Sequence, residues 1–586
     1  MQLWWRRHGG LVLACFFGLG LVGAFWGFLE LGKSGLNAAH LTLQLIVLNV
    51  DLSADQINWQ LQIARFLLPG IAAYATITSF LVLAGHHAHF LKLKWRPPQS
   101  IFLGAGRIAV GLSDRINNTR PVVALDLDID QTHARTLAAQ GVLLIKGNAT
   151  DSGILQKLNV ARAEVIYVLT GNDQCNLDIA REIIELTNER DQKPHLVLSI
   201  TSRVILGIAC QDPEIVAYRA RGGVITWFNA PAQAARVLLG KYPPDREIIP
   251  ETSKPPLHIA IAGFGKHGQA IALQVVRTCV YADERPVQVS VFAEDRQAYE
   301  SFLLRYPALN INRVDPAHGG FAPLAKMHFI PHASSSTDPA TVRKAQAAAP
   351  FAIVYVAMDD DYSSITAALR FAQIVRALGS TSKVICVLAG TRFGTEAEAL
   401  TLFEASKDTF RGVQLFHAIS SSVRQGEKYP GADSDSLGIA VNAAYDSADS
   451  TDSVQMFESW KKLSEDFRWS SRHCADHIPV KLRAIGFDLI DSDGKLNDAA
   501  LQEAIDRNLE MLECMEHRRY CIERLLDGWL YAESTDKEAE GQNKKQKLNR
   551  TIVPFDFLPE HEPEKDRRIV RSIQTAAGVR DVTGVY

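Results

Sequence analysis

Two long apolar stretches open the chain, and a regular alternation of short apolar runs with amphipathic segments follows them. The first stretch covers residues 11–31 with Glu30 as its one charged residue, and the second covers about residues 66–85. Each has roughly the 20 apolar residues that a membrane-spanning helix needs. Basic residues precede the first stretch and follow the second, which by the positive-inside rule places both termini in the cytoplasm. The pattern predicts a transmembrane hairpin over residues 1–97, in a multi-pass protein of the cell inner membrane.

A shorter apolar run lies between the two stretches, at residues 38–50. It is too short to cross a bilayer and predicts a re-entrant or interfacial helix. Helix, half-helix and helix is an order that resembles the pore of two-span potassium channels. This resemblance gives four candidate pore residues, which are Thr42, Gln44, Asn49 and Asp51. Residues 36–69 contain no glycine, so the usual potassium filter has no counterpart here. An anchoring hairpin with an interfacial helix is the alternative.

After Pro97, strand-like and helix-like segments alternate, which predicts an α/β fold with a doubly wound parallel sheet over residues 98–245. An apolar run leads into the turn Gly104-Ala105-Gly106-Arg107-Ile108-Ala109, and Asp126 ends a second run 22 residues after Gly104. Glycines in this setting let the backbone approach a pyrophosphate, and an acid at about this offset binds ribose hydroxyls. The sequence therefore predicts a dinucleotide site that contains Gly104, Gly106, Arg107 and Asp126.

Two further turns complete a resemblance to the regulator-of-potassium-conductance (RCK, TrkA-N-like) domains, which gate potassium channels and transporters. The turns are Gly147-Asn148-Ala149-Thr150-Asp151 and Thr170-Gly171-Asn172-Asp173. The resemblance covers about residues 99–240 and implies that Asn148, Ala149 and Thr170 join a site for NAD(H) or an adenine nucleotide. It also implies that domains pair face to face, and it does not imply redox chemistry. Asn148 stands where the family usually has aspartate, which leaves the ligand open. A Rossmann-like fold with an empty site is the alternative.

A second glycine turn predicts a second Rossmann-like domain over residues 256–425. Its glycines are Gly263, Gly265 and Gly268, and Glu294 follows the next strand-like run 31 residues after the first of them. That offset exceeds the usual spacing of about 20 residues, so either residues 277–286 form an extended loop or Glu294 is not a ribose ligand. The acids at 359–361 lie at a strand end, where they hold a cation or, more simply, form a solvated face.

The last part of the chain differs in composition. Residues 426–454 are rich in Gly, Ser, Asp and Ala, which predicts a linker. Residues 455–575 resemble the ryanodine-receptor (RyR) repeat domain through ordered runs at 475–482, 516–529 and 554–559, and this resemblance implies an α-helical domain. Basic and aromatic residues here are candidates for binding a nucleotide-derived messenger, namely Arg472, Lys481, Arg518, Trp529 and Tyr531. Core packing and ion pairing are the alternative roles of these side chains.

Charge and cysteine content narrow the choice of function. The chain has 62 Lys and Arg against 65 Asp and Glu, so it lacks the basic field of a nucleic-acid-binding protein. Its eight cysteines form no CxxC pair, which argues against a metal site. We expect a non-enzymatic, membrane-anchored nucleotide sensor that resembles a ligand-gated potassium channel and forms a homo-oligomer, with a tetramer suggested by channel analogy. A non-conducting adaptor is the alternative, and an NAD-dependent oxidoreductase is a third hypothesis.

Overall fold

A computed structural model gives the fold of this chain. It describes residues 2–47, 57–113, 120–246, 256–283, 285–309, 320–321, 323–331, 338–389, 412–421, 435–445, 453–487, 498–532, 542–543, 546–558, 563–571 and 573. The chain divides into two compact units, Met1–Pro97 and Pro98–Tyr586.

The first unit is a helical hairpin with a short helix at its turn. Its helices are α1 (Gln2–Glu30), α2 (Gly35–Ile46) and α3 (Trp59–Trp95). Phe28 of α1 is buried in one cluster with Leu61 and Leu68 of α3. Asn58 closes the hairpin, because its Nδ2 donates to the carbonyl of Gly27 (3.0 Å) while its Oδ1 accepts the N–H of Leu61 (3.1 Å). Two long helices with a short helix between them follow the predicted order.

None of the described helices combines the length and the apolar character that crossing a membrane requires. The prediction of a transmembrane hairpin is therefore not confirmed. Of the candidate pore residues, Thr42 is buried and its hydroxyl donates to the carbonyl of Ala38 (2.8 Å), within its own helix, and Gln44 is half-buried. The other two, Asn49 and Asp51, lie outside the described residues.

The second unit begins with a six-stranded parallel sheet of order β3-β2-β1-β4-β5-β6. Its strands are β1 (Ser100–Leu103), β2 (Val122–Asp126), β3 (Leu143–Lys146), β4 (Val165–Val168), β5 (His195–Ser199) and β6 (Ile225–Phe228). Its helices are α4 (Arg107–Ser113), α5 (Thr132–Ala139), α6 (Ser152–Lys157), α7 (Asp173–Leu186), α8 (Arg203–Gln211), α9 (Pro213–Ala220) and α10 (Ala230–Lys241). This is the Rossmann strand order, with a switch point between β1 and β4. The predicted doubly wound domain is confirmed.

A second parallel sheet repeats that topology, in the order β12-β11-β10-β7-β8-β9. Its strands are β7 (His258–Ala262), β8 (Val287–Ala293), β9 (Ala325–Pro331), β10 (Ile353–Val356), β11 (Lys383–Leu388) and β12 (Val413–His417). Its described helices are α11 (Lys266–Thr278), α12 (Arg296–Arg305), α13 (Pro339–Ala345), α14 (Asp361–Ala377) and α15 (Ala418–Ser421). The strands β7 and β10 are fully buried and apolar apart from His258, as expected for strands covered on both faces.

The C-terminal part is mainly helical, as predicted, with a small sheet of order β13-β15-β14. Its elements are α16 (Ser436–Tyr445), α17 (Ser453–Lys462), α18 (Glu465–Ala484), α19 (Asp498–Arg507), α20 (Leu509–Leu526), β13 (Leu530–Tyr531), β14 (Gln542–Asn543), β15 (Leu548–Asn549) and α21 (Pro563–Arg571). Helix α16 corrects the prediction of a linker over residues 426–454. Ile439, Val441 and Ala443 are buried, so this apolar part of the segment joins the core.

One hydrophobic core joins the second sheet, helix α10 of the first domain and the C-terminal helices. Asp476 of α18 is the polar centre of this contact. Its carboxylate accepts from Arg236 of α10 (2.7 and 2.9 Å) and from Gln274 of α11 (2.8 Å). Arg483 reaches Asp245, which follows α10, at 2.7 Å. The C-terminal helices are thus attached to both α/β domains.

Candidate functional site

The first glycine turn lies at the carboxyl end of β1, where the switch point of the sheet leaves a crevice. Gly104 has φ +108°, and its N–H donates to the carbonyl of Leu125 at 2.9 Å. A Cβ at this position would lie 2.6 Å from the carbonyl oxygen of Leu169. Since that neighbour is backbone, the turn has this shape only with glycine at position 104.

Asp126 lies against this turn. Its Oδ2 accepts the N–H of Ala105 at 2.6 Å, and its Oδ1 accepts the N–H of Asp128 at 3.0 Å. The residue is half-buried at the end of β2, next to β1 in the sheet. Each oxygen takes one N–H, so lone pairs remain for ribose hydroxyls. The predicted proximity of the acid and the glycine turn is confirmed.

The strands on either side bring the other candidates to the same edge. Gly147, after β3, donates its N–H to the carbonyl of Asp126 (2.9 Å). Next to it, Asn148 is exposed with its Oδ1 accepting the N–H of Thr150 (3.1 Å), and Ala149 is buried. Thr170 follows β4, and its hydroxyl donates to Oδ1 of Asn176 at 2.7 Å. Strands β3, β2, β1 and β4 are consecutive in the sheet, so the first-domain candidates share one edge.

Two polar residues of α7 support this edge, although the sequence analysis did not place them in the site. Asn176 is fully buried, accepts the N–H of Thr170 (3.0 Å) and donates to the carbonyl of Ser199 (2.7 Å). Asp173 accepts the N–H groups of Thr201 (3.1 Å) and Ser202 (2.7 Å), which connect β5 to α8. Both residues lie in the first turns of a helix that directly follows a strand, and polar residues at such positions can be recognised in the sequence as groups that bind nearby backbone N–H groups.

The first α/β domain contacts the second next to the first glycine turn. Burial, together with the positive charges of Arg107 and Lys266, lowers the pKa of His267 to about 4. His267 is therefore neutral at physiological pH. Helix α4, which follows the first turn, also contacts α15 of the second domain, because a Cβ at Gly111 would lie 2.4 Å from a side-chain methyl of Ile419. Arg107 is exposed at the start of α4.

The second turn has the same backbone shape. Gly263 has φ +89°, and a Cβ at Gly268 would lie 2.1 Å from the carbonyl oxygen of Gly263. The second glycine differs in its surroundings from Gly106 of the first turn, because Oδ1 of Asp359 lies 2.9 Å from the position of a Cβ at Gly265. A carboxylate at this place repels a pyrophosphate that approaches the turn. The second turn is thus a poor phosphate site.

The strand register places Glu294 one residue away from the expected acid position. Leu103 pairs with Leu125 in the first domain and Ala262 pairs with Phe292 in the second, so Ala293 corresponds to Asp126. Glu294 follows as the next residue and is exposed. Helix α11 includes Arg277 and ends at Thr278, so helix makes up part of the predicted loop 277–286. The second turn therefore has no carboxylate in the register position of Asp126.

Two candidate ligand residues of the C-terminal part are buried in ion pairs. Arg472 binds Asp435 through two nitrogens (2.7 and 2.8 Å) and Glu465 through a third (2.7 Å). Lys481 is fully buried and paired with Glu516. Their charges are already neutralised inside the domain, which corrects the expectation that they meet ligand phosphates.

The other three candidates lie nearer the surface of this part. Arg518 and Tyr531 are half-buried. Trp529 is half-buried as well, with the guanidinium of Arg524 over its ring at 5.2 Å from the centroid. The same guanidinium lies 5.1 Å from the ring centroid of Tyr520. Arg524 is thus held between two rings, and this cation–π contact uses one face of Trp529.

A comparison with protein families finds a match within the first α/β domain. Residues 100–204 match the TrkA-N domain family. A stretch of 85 residues is 31% identical to an uncharacterized protein of Methanocaldococcus jannaschii, over 14% of this chain and 17% of that protein. This chain therefore spans about a sixth of that relative. The family match covers strands β1 to β5 of the first of the two Rossmann-like sheets.

A comparison with solved structures matches parts of this chain at low identity. GsuK bound to ADP is 15% identical, with a TM-score of 0.35 over 71% of this chain and 95% of that chain. The GsuK channel bound to NAD is 14% identical, with a TM-score of 0.36 over 71% and 81%. The human SLO3 gating ring is 11% identical, with a TM-score of 0.34 over 55% and 81%.

Proposed function

We propose that this chain is a nucleotide-sensing regulatory protein, in which an adenine nucleotide or NAD(H) binds at the first glycine turn. The observation that carries the proposal is the contact of Asp126 with Ala105, at the switch point of a parallel sheet whose glycine turn has a positive φ. The TrkA-N match over the same residues supports it. Phosphates approach the turn at the start of α4, and ribose hydroxyls donate to Asp126.

The proposal assigns one nucleotide to each chain. The first turn has Asp126 at the ribose position and the exposed Arg107 beside the phosphate position. The second turn has Asp359 close to Gly265 and Ala293 in the register position of the acid. Negative charge near the phosphates and a missing ribose partner both disfavour a nucleotide at the second turn.

Replacement of Asp126 by asparagine tests the assignment. Asparagine keeps an acceptor for the N–H of Ala105 but removes the negative charge and the acceptor of the N–H of Asp128, which is exposed to water. The turn should therefore be retained while charge-assisted hydrogen bonds to ribose are lost. We expect the affinity for ADP and NAD to fall about 10- to 100-fold, since such bonds contribute roughly 1.5–3 kcal/mol. Isothermal titration calorimetry with the full chain measures the affinity and the number of sites.

Asp128→Asn is the matched control for this test. Asp128 is exposed in the same loop, and its carboxylate accepts only the N–H of Asp130 among the described hydrogen bonds (3.0 Å). The control should bind ADP and NAD like the original chain. Unchanged affinity in Asp126→Asn, or no binding of either compound to the original chain, would show that the assignment is wrong.

A regulatory role rather than an enzymatic one is part of the proposal. A series of polar contacts connects the edge of the first sheet with the C-terminal part. Asp173 accepts the N–H groups of Thr201 and Ser202, and the next residue, Arg203, is ion-paired with Asp527. A ligand that changes the edge of the first sheet thereby biases how α8 contacts the C-terminal helices. We expect no steady reduction of NAD by the chain, and sustained turnover with a substrate would contradict the proposal.

We further propose that the first unit associates with a lipid bilayer and that the protein is located at the cell inner membrane. Large apolar side chains are exposed along its helices, among them Leu19 (68%), Trp26 (59%), Phe66 (70%) and Ile77 (57%). An exposed apolar surface of this extent is typical of a membrane or protein contact. The proposal includes a homo-oligomer whose cytosolic part controls the membrane part, and ligand-dependent ion flux in liposomes distinguishes a channel from a non-conducting adaptor.

Liposome flotation tests this membrane association. We expect the full chain to float with liposomes and the double variant Leu19→Glu/Phe66→Glu to stay at the bottom of the gradient, because two charges on the apolar surface oppose lipid contact. Leu304→Glu is the control, since Leu304 is 82% exposed in the second unit. If the original chain, free of detergent, does not float with the liposomes, the proposal is wrong.

A further inference from the structure

The second α/β domain contains a cavity at the edge of the sheet opposite its glycine turn. It has a volume of about 620 Å³ and is lined by the first residues of β10 and β11, by the end of α10 and by most of the segment 242–246 that follows it. The glycine turn follows the carboxyl end of β7, which is parallel to β10, so it lies at the opposite edge of the sheet from the cavity. Its volume falls within the range of about 300–1,000 Å³ found for small-molecule sites.

The described lining of this cavity is rich in hydrogen-bond donors and positive charge. Lys241, Arg246 and Lys383 contribute three cations, and no Asp or Glu is among the described lining residues. Asp245 belongs to the same segment, but it is paired with Arg483 and does not line the cavity. The residues 379–382 add a glycine and three hydroxyls. Such a lining favours an anion that offers several acceptor oxygens.

A buried amide without a partner is the second observation that indicates a ligand. Gln346 lines the cavity, and its Nε2 is buried with no hydrogen-bond partner in the structure. A buried donor without an acceptor costs free energy, and a ligand oxygen would supply that acceptor. Helix α14 ends beside the cavity with a dipole equivalent to about −0.5 charge, which opposes an anion but is smaller than the charge of the three cations.

The wall of the cavity is fixed in position by contacts to two other parts of the fold. The carbonyl of Tyr242 accepts the hydroxyl of Tyr355 at 2.6 Å, and Asp245 is held by Arg483 of α18. Ser382 is also fixed, because its hydroxyl donates to the carbonyl of Phe351. A ligand therefore meets preorganised groups, which reduces the entropic cost of binding.

We propose that this cavity binds a small phosphorylated molecule, whose phosphate oxygens accept from Lys241, Lys383 and Gln346. The segment that it contacts joins the two α/β domains and touches the C-terminal part through Asp245. The site is independent of the nucleotide at the first glycine turn.

Acetylation of lysines in the full chain, followed by mass spectrometry of peptides, tests this site locally. Pyrophosphate and ribose 5-phosphate are the phosphorylated probes, and citrate is the carboxylate probe. We expect both phosphorylated probes to protect Lys241 and Lys383, and to leave Lys157 and Lys326 modified, because those two lysines are exposed elsewhere. Because the readout is local, it does not depend on whether a nucleotide binds at Asp126. Absence of protection by both phosphorylated probes overturns the proposal, and protection by citrate alone overturns the assignment to phosphate.

Two variants confirm that the cavity, rather than general positive charge, binds the probe. Gln346→Leu keeps every charge and removes the amide donor, and Lys383→Gln removes one cation. We expect each to weaken ribose 5-phosphate binding about tenfold in calorimetry, the loss of one good hydrogen bond to an anion. Lys326→Gln, with the same charge change on an exposed residue of β9, should bind like the original chain. Equal affinity in all three variants would contradict the site.

Discussion

Replacement of Glu516 by glutamine is expected to lower the free energy of unfolding by about 3–5 kcal/mol, the usual cost of breaking a buried ion pair. Glu516 is fully buried on α20 and is ion-paired with two cations, one of which, Arg519, also pairs with Glu523. Its Oε1 accepts from Arg519 at 2.8 and 3.0 Å, and its Oε2 is paired with the fully buried Lys481. Glutamine has almost the same shape but leaves one positive charge uncompensated in the core. Chemical denaturation monitored by circular dichroism measures the change.

Two further variants identify the cause of that loss. Glu503→Gln on α19 removes an exposed carboxylate that pairs with Arg507 at 2.6 Å, and it should change stability by less than about 1 kcal/mol. The double variant Lys481→Met/Glu516→Gln removes both charges of the buried pair and should recover part of the loss. A double variant as unstable as Glu516→Gln would show that the uncompensated charge is not the cause.

The same carboxylate predicts a pH dependence. Burial by itself raises the pKa of Glu516, but Arg519 and Lys481 outweigh it and lower the pKa to about 2. The ordinary value is 4.5, so the contribution of Glu516 to stability is fully present above pH 4.5 and is lost as the pH falls toward 2. Stability should therefore fall more steeply between pH 4.5 and 2 in the original chain than in Glu516→Gln. Parallel pH profiles of the two proteins would contradict this assignment.

The parts of the site that were predicted from the sequence are those encoded by local spacing. Gly104 and Asp126 are separated by one helix and one strand, so their offset in the sequence corresponds to a fixed place in the fold. The second turn shows where this reasoning fails. The length of α11 and of the connection to β8 decides the register, and a shift of one residue places Ala293 instead of Glu294 opposite the turn. Residue spacing alone does not determine that register.

The contacts that join the domains were not predictable from spacing. Arg236 and Asp476 lie 240 residues apart and meet at 2.7 Å. The sequence shows that Arg472 and Lys481 are cations, but it does not show that Asp435 and Glu516 neutralise them. The positive charges therefore predicted a ligand site at positions where the cations form buried ion pairs within the fold. The apolar α16 was missed for a related reason, since flanking Gly, Ser and Asp residues dominate the composition of that segment.

Gly104→Ala is expected to destabilise the chain and Gly106→Ala to leave its stability unchanged, whereas both should weaken nucleotide binding. At position 104 an alanine Cβ lies 2.6 Å from the carbonyl oxygen of Leu169 in a backbone with φ +108°, so the turn must rearrange. We expect a loss of about 2–4 kcal/mol in stability and no measurable ADP binding. Thermal denaturation and calorimetry with ADP measure the two quantities.

Gly106→Ala separates the role of the turn in the fold from its role in binding. Nothing lies within 4 Å of a Cβ at Gly106, so the variant should be as stable as the original chain to within about 1 kcal/mol. In a dinucleotide site, however, the second glycine lets the backbone approach the pyrophosphate, and a methyl group there excludes it. We expect ADP affinity to fall at least about tenfold in a fully folded protein. A Gly106→Ala variant that binds ADP like the original chain would show that the phosphates do not reach this turn, even if Asp126→Asn weakens binding.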